Sequence, residues 1–343
     1  MFPDRANFIR NASFQGHSHI PALIAISASS WLEDPDGLRA VAARYPALFP
    51  EGGANPPPPE TLREPNSERV DAWGCRWRYD LPGLDGIVIE EPLSEWKQLA
   101  EWEPPAPPLP DRVALDALIA TKSDNHLAVG SVGEHGFFFM RLYYLRGFEN
   151  LMIDIATEDP RLDDLISIIE AYHEPIMRAY VRARVDVLAF ADDLGTQKAC
   201  MLSPAQFRRW LLPTYRRLFT PARRAGIHVY LHADGYVMDV AEPLLETGVS
   251  IVNPQDLVNG IQPIAETFKG RACILLDVDR QTVLPYGSPG DVRDLIREEV
   301  MTLGSPAGGL AFIAGIYPPT PTANVEALCQ ALMAYRTYWA GRG

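Results

Sequence analysis

Residues 185–197 read VDVLAFADDLGTQ, and residues 228–235 read HVYLHADG. Each is a short apolar run that breaks into ionisable residues at its C-terminal end. The first delivers Asp192 and Asp193, the second His232 and Asp234. Between them SPAQFRRWLLPTYRRLFTPARRAG (203–226) has the length and apolar stripe of one amphipathic helix. The unit is strand–helix–strand, with both polar clusters at the same end of neighbouring strands. In α/β barrels and open parallel sheets, that end carries the active site.

The same alternation extends outward. Upstream, IPALIAIS (20–27) and NHLAVGSVGEHG (125–136) read as strands; downstream, VSIVNPQ (249–255), ACILLDVD (272–279) and GLAFIAG (309–315) do the same. Helical segments separate them, at 260–270, 289–304 and 324–341. Strands interleaved with helices imply right-handed parallel β/α units. Seven strands are visible, and an eighth from 30–125 would close a (β/α)8 TIM barrel of the α/β class. The expected organisation is one barrel domain over 1–343. Within it, 30–125 forms an irregular Pro- and Trp-rich excursion over the barrel mouth. A small hairpin is expected there, with WGCRWRYDL (73–81) and GIVIEE (86–91) flanking the PGLDG turn. Its tryptophans either pack on the mouth or meet a flat ligand.

Bulk properties narrow the class. A chain of 343 residues with 47% hydrophobic content has material for a large core. A net charge of −13 argues against nucleic acid or an anionic membrane as main partner. No apolar run approaches membrane-spanning length. The opening MFPDRANFIRN lacks the pattern of a signal peptide, so a cytoplasmic protein is expected. Cys75, Cys200, Cys273 and Cys329 form no CxxC pair, which excludes a zinc ribbon or thioredoxin-like motif. No G-x-G-x-x-G or P-loop occurs.

Candidate site residues follow from position at strand ends. Side chains alternate along a strand, so only one of Asp192 and Asp193 points into the barrel, as acid, base or metal ligand; the other caps the following turn or helix. Glu134 and His135 fall where a barrel presents functional groups. Arg141 and Arg146, beside apolar neighbours, are either anion clamps or partners in structural ion pairs. His232-x-Asp234 places two ligand-capable groups on one face. They bind a metal or form a metal-free hydrogen-bonded pair. Gln197, Asn253, Gln255, Asp279, Gln281 and Tyr317 complete the ring as candidate substrate contacts.

Several stretches carry a family likeness: ADDLGTQ (191–197), MLSPAQFRRWLLPTYRRL (201–218), AGIHVYLHADG (225–235), TGVSIVNPQ (247–255), DVDRQTVLPYGSPGDVR (277–293) and PPTPTANVEAL (318–328). In order and spacing they resemble the uroporphyrinogen decarboxylase superfamily. The Trp/Gly-rich 73–93 and YYLRGFENLMID (143–154) resemble its branch of cobalamin-dependent methyltransferases. The resemblance implies a (β/α)8 barrel with the site at its C-terminal mouth. The decarboxylase branch carries an arginine-rich N-terminal segment of the type RQAGRY; here FIRNASFQGHSHIP (8–21) stands in that region. The methyltransferase branch holds zinc with a His-x-Cys pair and a later cysteine. His232 matches that histidine, but Asp234 and Ala314 stand at the two cysteine positions. Asp277 occupies a place where the family usually has glycine. One added carboxylate beside lost thiolates suggests harder ligands, His232, Asp234 and Asp277, around a divalent metal such as zinc.

The resulting expectation is an enzyme that passes a methyl group from a small methylated substrate to a corrinoid. The metal would act on the leaving heteroatom, and Asp192 or Glu134 would move the proton. No DxHxxG corrinoid motif occurs, so cobalamin would arrive free or on a separate corrinoid protein. The alternatives are a decarboxylase using Arg141 or Arg146 to hold a carboxylate, and a non-catalytic barrel. A homodimer stays open.

Overall fold

A computed structural model describes residues 4–50, 53–58, 64–81, 84–132 and 135–342. Ten strands occur among them. They are β1 (Ala22–Ile26), β2 (Ser67–Val70), β3 (Arg76–Tyr79), β4 (Ile87–Glu90), β5 (Val129–Ser131), β6 (Val187–Ala191), β7 (His228–Ala233), β8 (Ile251–Pro254), β9 (Cys273–Asp277) and β10 (Leu310–Ile316). Seven form one sheet in the order β1-β10-β9-β8-β7-β6-β5, and every pairing in it is parallel. With helices between successive strands this is a TIM-like α/β barrel. The seven strands are those legible as apolar runs.

The expected eighth strand is not among the described residues, and β1 and β5 have no hydrogen-bonded neighbour on their facing edges. Region 30–125 builds a separate antiparallel sheet instead, ordered β2-β3-β4. The anticipated hairpin is β3–β4, although Pro82 and Gly83 of its turn lie outside the described residues. In β3, Trp77 and Tyr79 are buried while Arg76 faces solvent, the alternation of a half-buried strand. The 30–125 region is also less irregular than anticipated, since it holds the helix Pro35–Arg44. The Asp34 side chain caps that helix by accepting from the Gly37 N–H at 3.0 Å.

The floor of the barrel is closed by the N-terminal helix Arg5–Ala12. Phe8 and Ala12 enter an apolar cluster with Leu23, Leu127, Val187, Ile251 and Leu275 from the barrel interior. Burying a Phe side chain contributes roughly 1.5–3 kcal/mol. Polar contacts fix the helix: Asn11 donates to the Leu310 carbonyl at 3.0 Å, and the Arg5 guanidinium grips Asp186 at 2.8 and 2.9 Å. No helix among the described residues is long and apolar enough to cross a membrane.

Candidate active site

The ends of β6, β7, β8 and β9 bring the ionisable residues together at the C-terminal mouth. There His232, Asn253, Asp277 and Arg280 border a cavity of about 370 Å3, with Ala25, Ser131, Ala191, Gly315 and Tyr317 also among its walls. The loops after β6 and β7 touch backbone to backbone. A Cβ on Gly195 would lie 2.2 Å from the Tyr236 carbonyl oxygen, and one on Gly235, at φ +82°, 2.3 Å from the Gly195 backbone. Only glycine permits that approach, and it holds Asp193 beside Asp234.

Asp192 and Asp193 part company as strand geometry requires. Asp192 is fully buried and turns away from the cavity. It accepts from the backbone N–H groups of Phe138, Phe139 and Met140 at 3.1, 2.7 and 2.7 Å, and from the Tyr215 hydroxyl. It therefore caps the helix Phe139–Arg146 from a distant strand. Asp193 turns inward, accepting the Asp234 N–H at 2.9 Å, with its Oδ1 3.8 Å from His232 Nε2. Burial and the charge of Asp234 raise its pKa.

His232 is held at both ring nitrogens. The Asn253 amide nitrogen donates to the Leu275 carbonyl, which turns its oxygen toward the ring; that oxygen accepts from His232 Nδ1 at 2.7 Å and from the Tyr230 hydroxyl at 2.7 Å. Nε2 faces Asp234 Oδ1 at 3.1 Å. With acceptors on both sides the ring is an imidazolium. Burial alone would lower its pKa, but the hydrogen bond and charge of Asp234, with Asp277 and Asp193 behind, outweigh that and push it up to about 9.

Asp234 Oδ1 also receives Arg280 Nη2 at 2.5 Å and Gln255 Nε2 at 3.0 Å. Burial raises its pKa, but His232 and Arg280 overcome that and hold it low. Arg280 Nη2 lies 3.4 Å from Asp277 Oδ2, and its guanidinium covers the Tyr317 ring at 5.3 Å. Asp277 is buried, and its Oδ2 has no hydrogen-bond partner among the described residues. Burial pushes its carboxyl up to about 6, against the pull of Arg280 and His232.

The remaining sequence candidates are dispersed. Gln255 accepts from the Gly235 N–H at 3.0 Å and so supports Asp234 from behind; the exposed Gln197 donates to Gln255 at 3.5 Å. Asp279 caps the turn that follows it, accepting from the Thr282 N–H and hydroxyl at 2.8 Å each, and Gln281 is exposed. Arg141 lies away from the cavity, buried beneath β3. It donates to Asp71 at 3.3 Å and covers Trp73 at 4.9 Å, lining a second cavity of about 310 Å3. Arg146 pairs with Asp154 at 2.9 Å. Glu134 lies outside the described residues. Sequence reading missed Arg280 and Tyr230. The period of two from His232 marks Tyr230 as inward-facing, whereas Arg280 sits in the loop beyond β9, where no periodicity fixes direction.

A thiolate zinc site does not fit these residues. Cys75 donates to the Tyr144 carbonyl and Cys200 to the Tyr236 carbonyl, Cys273 lies in the barrel floor, and Cys329 is on the helix Thr322–Tyr335. Asp193, His232 and Asp234 do place three ligand-capable atoms within 4.8 Å of one another. That nitrogen–oxygen set is already engaged within the chain: Asp234 Oδ1 meets Arg280, Gln255 and His232, and the two His232 nitrogens face Asn253 Oδ1 and Asp234 Oδ1.

The uroporphyrinogen decarboxylase family model matches residues 70–335. The chain belongs to that family. Among solved structures, a methyltransferase from Methanosarcina mazei is similar along its whole length, with a TM-score of 0.62, 18% identity, and coverage of 98% of this chain and 99% of that one. A B12-independent methionine synthase from a Shewanella species is more remote, with a TM-score of 0.36, 12% identity, and coverage of 49% and 54%. No curated protein matches the chain significantly. The family match covers β3 to β10 and the whole ionisable cluster, and the full-length likeness extends the shared fold to the N-terminal floor.

Proposed function

We propose that this family member is a methyltransferase-type enzyme that takes a methyl group from a small O-, N- or S-methylated substrate. The acceptor is a corrinoid, which enters as second substrate and supplies the nucleophile. The observation that carries the reading is the chain of ion pairs Asp277–Arg280–Asp234–His232, in which Asp277, Arg280 and His232 line the 370 Å3 cavity and Asp234 joins the last two. When a methyl–heteroatom bond breaks toward a nucleophile, the bonding pair stays on the heteroatom, which must be protonated or held by positive charge. Asp277 is the proton donor in this reading. It is buried at the cavity wall, its Oδ2 accepts no hydrogen bond and lies 3.4 Å from Arg280 Nη2, and burial pushes its pKa up to about 6, nearer neutrality than an ordinary carboxyl. Arg280 and the His232 imidazolium hold the developing negative charge, the part that a metal would otherwise take. Asp234 and Asn253 orient them.

The size and charge of the cavity support a small substrate. A polycarboxylated porphyrinogen would meet one arginine there, already shared by two carboxylates. The full-length fold shared with the Methanosarcina enzyme supports the same reaction class.

The test is anaerobic incubation with reduced cobalamin and a panel of methyl ethers, methylamines and methyl thioethers, read as methylated cobalamin. At least one donor is expected to react, and Asp277→Asn or His232→Ala is expected to slow transfer about 10²-fold or more. CO2 release from a carboxylic acid, with no methyl transfer from any donor, would overturn the proposal in favour of a decarboxylase. For that second reading Arg280 would seat the carboxylate and Asp277 would protonate the carbanion.

A further inference from the structure

Below the polar mouth the barrel is not filled. A third cavity, a chamber of about 310 Å3 distinct from the one at Arg141, lies between the mouth cavity and the N-terminal helix, walled by Leu23, Val129, Val187, Ile251, Leu275 and Phe8. Barrel interiors of this type are normally packed by layers of bulky inward side chains. Here the strands are layered by chemistry. In β6, Val187 lines the lower chamber, Ala189 both, and Ala191 the mouth. In β8 and β9, Ile251 and Leu275 lie below while Asn253 and Asp277 lie above. Ala189, Tyr230 and Ile313 border both spaces and form a collar between them. Small inward residues, Ala25, Ser131, Ala189, Ala191 and Gly315, leave the shaft open where Val or Leu would close it. From Val187 to Ala191 the shaft runs about 13 Å.

We infer that the substrate carries an apolar body of several carbons behind its reactive polar end, and that this body is seated in the lower chamber. The inference rests on the functional reading only for placing the reactive end at Asp277 and His232. A polar head at the mouth and a hydrocarbon tail below match an apolar pocket with a few convergent polar groups. A chamber with walls this apolar gains most by taking hydrocarbon, which leaves no polar wall group unsatisfied. The unfilled chamber therefore sets a lower bound on substrate size that the mouth cavity alone does not.

The probe is a series of 4-alkylphenols, from methyl to hexyl, whose equilibrium binding is measured by calorimetry without turnover. Affinity is expected to rise about fourfold per methylene until the chamber is full, then level off. Val187→Phe is expected to bring the plateau to shorter chains and Leu275→Ala to move it to longer ones. His232→Ala should weaken every member equally without changing the slope. Affinity that does not depend on chain length in the natural protein overturns the inference, whether or not a variant folds. A plateau that both chamber variants leave at the same chain length overturns it too. Methyl transfer plays no part in the readout, so tail-dependent binding without transfer would sink the reaction proposed above and leave this inference standing.

Discussion

His232 owes its proton to Asp234, so the two can be separated by substitution. The imidazole is expected to stay doubly protonated at pH 7.5, visible as two N–H donors in nitrogen-15 correlation spectra. In Asp234→Asn its pKa should fall back below 7, and a neutral ring in the natural protein would contradict the arrangement. The sign for stability follows. The folded-state value of about 9 lies above the ordinary 6.5, so the contribution is fully present below 6.5 and is lost as pH rises through 9. His232→Gln should therefore destabilise most at pH 6 and least near pH 10 in urea titrations. Arg280 carries a prediction of the opposite kind. Its guanidinium lies against Asp234 at 2.5 Å and Asp277 at 3.4 Å. Arg280→Ala leaves three carboxylates around one histidine, and the variant is expected to gain an equivalent of cobalt(II) that the natural protein does not take. Elemental analysis after dialysis decides it; stoichiometric metal in the natural protein, lost in His232→Ala, would show that Arg280 and the bound proton yield to an ion. The carboxylates and the histidine were legible because strand ends advertise them. Arg280 was not, because its direction is set by charges that meet only in three dimensions.

Elements depend on one another here through single polar residues. The helix Phe139–Arg146 has no side-chain cap of its own; Asp192, from the end of β6, accepts its first N–H groups instead. Asp192→Ala would orphan three buried N–H groups and the Tyr215 hydroxyl, at roughly 1–3 kcal/mol each before relaxation. A loss of at least about 3 kcal/mol is expected in urea unfolding, whereas Asp193→Ala, which leaves these donors served, should cost less stability and more activity. The adjacent pair ADD reads in sequence as one inward and one outward carboxylate. The outward one was expected to cap the turn or helix that follows it, but it caps one that precedes it by more than 50 positions, a contact that only the folded sheet creates. The strand Ser67–Val70 was missed for a related reason: it is largely exposed and polar, and only its pairing with β3 makes it a strand.

At the scale of the whole molecule, the parallel sheet was legible because its buried strands are short continuous apolar runs. Of the excursion, the β3–β4 hairpin was legible and its third strand, β2, was not, because the pairing of exposed strands depends on contacts rather than pattern. The floor is a tertiary feature of the same kind, and it can be tested by pH. Arg5 and Lys122 both meet Asp186 at 2.8 and 3.0 Å. Burial raises the Asp186 pKa, but the hydrogen bonds from Arg5, Ala128 and Lys122 lower it overall. A lowered carboxylate contributes stability above its ordinary 3.8 and loses it as pH falls through the folded value. Arg5→Ala should therefore be less stable at pH 7, with the difference from the natural protein shrinking below about pH 4, as followed by denaturant midpoints. The two-residue spacing between lower and upper wall residues has a consequence for how this barrel can diverge. On β8 and β9 the residues proposed to act at the mouth and those proposed to measure length belong to different codons, two apart and facing the same way. Drift at Leu275 or Ile251 can retune what is admitted while Asp277 and Asn253 stay fixed, and selection can act on either independently. On that reading, a change in the lower wall alters the room for substrate and leaves the polar wall at the mouth in place.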